Sequence, residues 1–117
     1  MEAIQENDSL YTLLKLDSTR LDSESSPALR PRVEEALSLC KKNLVLDLEE
    51  VNYMDSAGFS AILVVNRLCL EEEGQLILIN TQDDIRRLIK MAHLEEILNP
   101  KVNLWDAIGD LITHPAS

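Results

Sequence analysis

The 117 residues suit one domain with one core, and 45% apolar with 27% charged residues excludes wholesale disorder. A formal net charge of −10 sets the surface against phosphate backbones and anionic headgroups, which excludes nucleic acid as a main partner. No run approaches the roughly 18 apolar residues that span a membrane, and the acidic residues 1–8 are unlike a secretory signal, so the cytoplasm is the expected setting.

Residues 10–16 read as a first strand, Asp17-Ser18-Thr19 as a turn, and Arg20-Leu21-Asp22 as a short extended segment. The polar loop Ser23-Glu24-Ser25-Ser26 then leads into a helix with Leu29, Val33, Leu37 and Cys40 on one stripe. Pro31 lacks a backbone donor. The helix therefore has either a distorted first turn from Pro27 or a regular start near Pro31.

Leu44-Val45-Leu46-Asp47-Leu48 and Gln75-Leu76-Ile77-Leu78-Ile79-Asn80 are nearly continuous apolar runs, as in central strands of a parallel sheet. Parallel neighbours need a crossover, which makes residues 57–73 a helix with Gly74 as its C-terminal cap. A further helix runs from about Asp83 to Met91, with Thr81 as N-cap and Ile85, Leu88, Ile89 and Ala92 as its buried stripe. Ile97-Leu98 and Val102 leave room for a short edge segment. Asn103 caps a last helix whose apolar side is Leu104, Trp105, Ile108, Leu111 and Ile112, and residues 113–117 fray. The fold class is α/β, a small four- to five-stranded mixed sheet with about four helices. One domain fills 1–117, with its core at about 10–112.

Aromatic residues make up only 3%, so the core is aliphatic. Cys40 and Cys69 are widely separated and fit as small core residues, while His93 and His114 have no companions at ligand spacing. No metal and no cofactor is expected.

Around the central helix, Ala61, Ile62, Val65, Leu68 and Cys69 suffice to cover a sheet. Phe59, Leu63 and Leu70 form a second apolar strip, which either lies under neighbouring helices or meets a partner. Asp55-Ser56-Ala57-Gly58 marks the junction where strand hands over to helix. Ser56 or Asp55 can serve as the helix N-cap. Alternatively, a phosphate on Ser56 would be favoured by the helix dipole while placing a dianion on the presented surface. There is no Gly-x-Ser-x-Gly elbow and neither histidine is placed to activate Ser56, so no enzymatic activity is expected.

Residues 44–48 followed by Val51-Asn52-Tyr53-Met54-Asp55-Ser56-Ala57-Gly58-Phe59 resemble the signature of STAS domains, including anti-sigma factor antagonists. Arg20-Leu21-Asp22, residues 74–78 and Ile85-Arg86-Arg87-Leu88-Ile89 match further parts of that family. The resemblance implies a STAS fold and a protein-binding regulatory role. The implied partner is a GHKL-type serine kinase that doubles as anti-sigma factor, and whose capture releases a sigma factor or another regulator. It places the phosphate acceptor at Ser56 and the binding surface at Asp22, Asp55, Ser56, Ala57, Gly58, Phe59 and Leu63. Three positions depart from the family pattern: Ala57 lacks a second hydroxyl, Thr19 replaces a turn glycine, and His93 stands where a helix-ending glycine is common. The resemblance allows a second reading, a cytosolic STAS subunit bound to the ATPase of a phospholipid-type transporter, and it allows a homodimer.

Overall fold

The computed structural model describes residues 3–7, 10–39, 43–98 and 100–113. In chain order the elements are β1 (Ala3–Asn7), β2 (Thr12–Leu16), β3 (Arg20–Leu21), α1 (Leu29–Leu39), β4 (Leu44–Asp47) and β5 (Tyr53–Met54). They continue with α2 (Ser56–Glu71), β6 (Leu76–Ile79), α3 (Asp83–Met91), α4 (Glu95–Leu98) and α5 (Leu104–Thr113). A 3₁₀ turn, Ser26–Ala28, precedes α1 and carries Pro27, so the distorted first turn is the form adopted.

The two apolar runs sit where continuous apolarity belongs. The main sheet has the order β1-β2-β4-β6, with β2, β4 and β6 parallel and β1 antiparallel at one edge. Every residue of β4 and β6 is buried. On one face Leu14, Leu16, Leu44, Leu46, Leu76 and Leu78 meet Leu29 and Val33 of α1 and Ile62, Val65 and Cys69 of α2. Ile85 and Ile89 of α3 and Leu98 of α4 close the same core. On the opposite face Val45, Ile77 and Ile79 pack against Ala107 and Leu111 of α5. Each buried Leu, Ile or Val among them stabilises the fold by about 1.5–3 kcal/mol through burial.

Several details depart from the sequence expectations. β1 is an additional strand: its alternation of apolar and polar residues is weak, and its place follows from backbone pairing with β2. α2 ends at Glu71, and the left-handed residue after it is Glu73 (φ 62°) rather than Gly74. Gly74 N–H donates to Cys69 O (2.8 Å) and Glu73 N–H to Leu70 O (3.0 Å), a Schellman pattern that a glutamate here completes. His93 does adopt the left-handed conformation (φ 58°), in an equivalent pattern after α3.

Gln82, not Thr81, is the N-cap of α3, and it makes no side-chain capping bond. Only Ile85 and Ile89 are buried on that helix, while Leu88 and Ala92 face solvent. The segment at Ile97–Leu98 is helical, and Lys101 forms an isolated parallel bridge to Ile79 at the sheet edge. Asn103 caps α5 as expected, accepting from Asp106 N–H at 3.0 Å. The buried side of α5 is narrower than its apolar side: Trp105 is 81% exposed and Ile112 is exposed as well. Cys69 is buried, whereas Cys40, His114 and residues 114–117 lie outside the described residues.

Candidate functional site

Beside the main sheet stands a two-residue parallel ribbon in which Arg20 pairs with Tyr53 and Leu21 with Met54. Strand alternation decides what this ribbon presents. Leu21 and Met54 turn into the core, at 0% and 5% exposure, so Arg20 and Tyr53 turn outward. Asp22 and Asp55 follow two residues on and continue the same outward face. The ribbon thereby joins Asp22 to the Asp-Ser-Ala-Gly junction across more than thirty residues of chain.

The junction is built on Asp55. Its extended backbone ends the ribbon, and its Oδ1 accepts from Gly58 N–H at 3.1 Å, so Asp55 is the N-cap of α2. Ser56 is consequently not the cap. It occupies the first helical position, is exposed, and its hydroxyl has no hydrogen-bond partner among the described residues. Ala57 is half-buried in the next position. With Asp55 holding the helix start, the hydroxyl missing at Ala57 is not needed for capping.

Gly58 is fixed by packing. A Cβ built on it would overlap Leu21 O and approach Met54 Cγ at 2.8 Å. The absence of a side chain lets α2 press directly onto the ribbon, which sets the height of Ser56 above it. The next residue, Phe59, and Leu63 one turn beyond it are half-buried and pack against the main core. Leu70, at the far end of the second apolar strip, is exposed. That strip is therefore only partly covered by neighbouring elements.

Asp22 is a hub. Its Oδ1 accepts from the N–H groups of Glu24 (3.0 Å) and Ser25 (3.1 Å), closing the turn before the 3₁₀ segment. Its Oδ2 accepts from Arg20 Nε at 3.0 Å. The Arg20 bond first, and the Ser25 N–H next, hold the Asp22 carboxyl below the usual range for an aspartate. Arg20 in turn lies over the Tyr53 ring, 4.1 Å from its centroid.

The structure thus brings together Asp22, Asp55, Ser56, Ala57 and Gly58, with Phe59 and Leu63 extending from them along α2. Sequence reasoning missed Arg20 and Tyr53. Their signal was the alternation Arg-Leu-Asp and Tyr-Met-Asp, with the apolar residue central in each. Two-residue strands are too short for that period to stand out. A third residue whose role emerges only here is Asp47. Buried at the end of β4, it accepts from Glu49 N–H (3.0 Å) and Asn80 Nδ2 (3.2 Å), tying together the chain exits of β4 and β6.

Among the described residues no basic side chain hydrogen-bonds to the Ser56 hydroxyl. Among the described residues no group of three or more His, Cys, Asp or Glu side chains could hold a metal ion. No helix among them is long and apolar enough to cross a membrane.

Comparison with known proteins agrees with this architecture. The chain is 27% identical over 95 residues to the anti-sigma F factor antagonist of Paenibacillus polymyxa, covering 80% of this chain and 81% of that one. It is 33% identical over 75 residues to the anti-sigma-B factor antagonist of Listeria monocytogenes, covering 61% and 66%. Its fold superposes on the phosphorylated form of the Bacillus cell fate determinant SpoIIAA with a TM-score of 0.68 at 19% identity, over 94% of this chain and 99% of the other. The STAS domain family model matches residues 3–110, and the chain belongs to the STAS domain family.

Proposed function

We propose that this protein is an anti-sigma factor antagonist that works by partner switching. Its partner is an anti-sigma factor that is also a serine kinase of the GHKL type. The docking face comprises Asp22, Asp55, Ser56, Ala57, Gly58, Phe59 and Leu63. Docking there withdraws the anti-sigma factor from its sigma factor, in the cytoplasm where transcription takes place. The observation that carries this reading is Ser56 itself: exposed, released from capping by Asp55, and set between a charged ribbon and a half-covered apolar strip. Two sequence relatives named as anti-sigma factor antagonists support it.

The switch is phosphorylation. Ser56 Oγ attacks the γ-phosphorus of ATP, ADP leaves, the serine proton passes to solvent or to the kinase, and the O–P bond remains on this chain. The fold tolerates the product because a helix N-terminus favours negative charge. The interface does not, since a dianion now sits beside the apolar strip that the partner must desolvate.

The test is affinity capture of the partner followed by incubation with ATP. Intact mass should rise by one phosphate, Ser56→Ala should abolish the gain, and the phosphorylated protein should leave the complex. Recovery of a transporter ATPase subunit without a kinase, or an unchanged mass in the presence of the captured kinase, would overturn the reading.

A further inference from the structure

We propose that Arg20 is the internal counter-ion for a phosphate on Ser56, exchanging its bond to Asp22 for the phosphate when Ser56 is modified. The inference rests on the partner-switching reading for the identity of the modification, and on the ribbon geometry for the identity of the clamp.

A phosphoserine at position 56 has an electrostatic problem. Its neighbour Asp55 is a carboxylate fixed in place by capping Gly58, and the first helical turn contains no basic residue. Two further negative charges beside it need a cation. Arg20 is held where one is required. The strands of the ribbon are parallel, so the step from Arg20 to Asp22 runs in the same direction as that from Tyr53 to Asp55. Bonded to Asp22 through Nε and lying on the Tyr53 ring, the guanidinium occupies the outward face of the ribbon, whose second strand runs into Asp55 and the start of α2. The Asp22 bond is the main stabiliser of its charge, and the Asp55 carboxylate adds a smaller attraction.

The way Arg20 is held also leaves it able to act. Nε is engaged and one face of the guanidinium is covered by Tyr53, but no partner among the described residues uses the two terminal nitrogens. The side chain is 58% exposed. Those nitrogens present the donor fork that matches a phosphate. Asp22 can release the guanidinium without losing its own place, because Glu24 and Ser25 N–H groups hold its other oxygen. The dianion outcompetes the single remaining carboxylate oxygen, and its charge-assisted bonds are stronger. The consequence for a partner is a rearranged face: the Arg20–Asp22 pair present in the unmodified protein is gone in the modified one.

The experiment inserts phosphoserine at position 56 during translation, so that no kinase is involved, and follows the ³¹P signal with pH. The charged groups on this face are Arg20, Asp22, Glu24 and Asp55, with the Tyr53 phenol. The second ionisation of a phosphoserine lies near pH 6. In the otherwise unaltered chain it should titrate about half a unit or more lower than in Arg20→Gln. Arg20→Lys should recover part of the difference. Arg67→Gln, on the exposed side of α2, should leave the midpoint unmoved. Should Arg20→Gln fail to fold, the Arg20 N–H resonances of the unaltered phosphorylated chain provide the same test, since they should shift with the ³¹P midpoint. Equal midpoints in the wild-type and Arg20→Gln proteins, or Arg20 signals indifferent to phosphate ionisation, would overturn the proposal. Equal midpoints remove Arg20 from the switch and leave kinase labelling of Ser56 intact. A kinase that ignores Ser56 removes the switch and leaves the titration standing.

Discussion

The α-carbon of Gly58 sits against the carbonyl of Leu21 so closely that even a methyl group on it would collide with that oxygen. The contact joins the start of α2 to the first strand of the ribbon through backbone, which cannot rotate away as a side chain could. Gly58→Ala should therefore destabilise the protein by about 3 kcal/mol or more. Gly109 is the internal comparison, because it lies in α5 with nothing within 4 Å of an added Cβ. Gly109→Ala should stabilise by about 0.5–1 kcal/mol, as expected for relieving a helix of a glycine. Urea unfolding of the two variants beside the wild type measures both, and similar effects in the two would show that the close approach is absent.

Asp22 gives a pH signature. Its carboxyl is held below the ordinary value, first by the Arg20 bond and then by the Ser25 N–H. A depressed folded-state pKa means that the folded protein binds this proton less readily than the unfolded chain. The stabilisation is then fully present above the unfolded value, about 3.9, and is lost as pH falls through the lower folded value. Asp22→Asn keeps an oxygen for the Glu24 and Ser25 N–H groups while removing the charge. Its stability should fall less steeply than that of the wild type below about pH 4. Parallel denaturation curves over that range would contradict it.

Burial pushes the Cys69 thiol up to about 12, and its side chain is fully enclosed between α2 and the sheet. Alkylation at neutral pH should leave Cys69 unmodified in the folded protein and label it rapidly in denaturant. Peptide mapping distinguishes it from Cys40. Fast labelling of Cys69 without denaturant would mean that α2 leaves the sheet readily.

The chain has one tryptophan, Trp105, and it is 81% exposed on the outer side of α5. Its emission should resemble that of a free indole, be quenched efficiently by acrylamide, and change little on unfolding. A blue-shifted, protected emission in the isolated protein would show that a second molecule covers this side of α5.

Long apolar runs made the central sheet legible: residues 44–48 and 75–80 could be little else, and the crossover between them had to be a helix. Asp83–Met91 emerged with its observed ends because its charges and aliphatic residues alternate at helical spacing. What escaped was structure that depends on distant backbone. β1 has few apolar residues and owes its place to pairing with β2. β5 is two residues long and exists because β3 lies beside it. The apolar side of α5 was visible, but sequence does not say how far a sheet reaches, and Trp105 and Ile112 on that side lie beyond it. At the candidate site the junction residues were legible and the charged pair Arg20–Asp22 was not, since its meaning comes from a ribbon assembled across the chain. Capping settled one open alternative: Asp55 takes the N-cap, which leaves the Ser56 hydroxyl unoccupied.

The two-residue ribbon has a practical corollary for anyone wishing to imitate or block this surface. A linear peptide carrying Tyr53 to Leu63 would lack Arg20 and Asp22, and it would lack the Leu21 carbonyl against which Gly58 is set. Cut from its partner strand, such a fragment has no reason to hold an extended turn into a helix. A useful mimic must reproduce a discontinuous epitope, so a macrocycle bridging both strands, or a binder selected against the folded domain, is the appropriate tool.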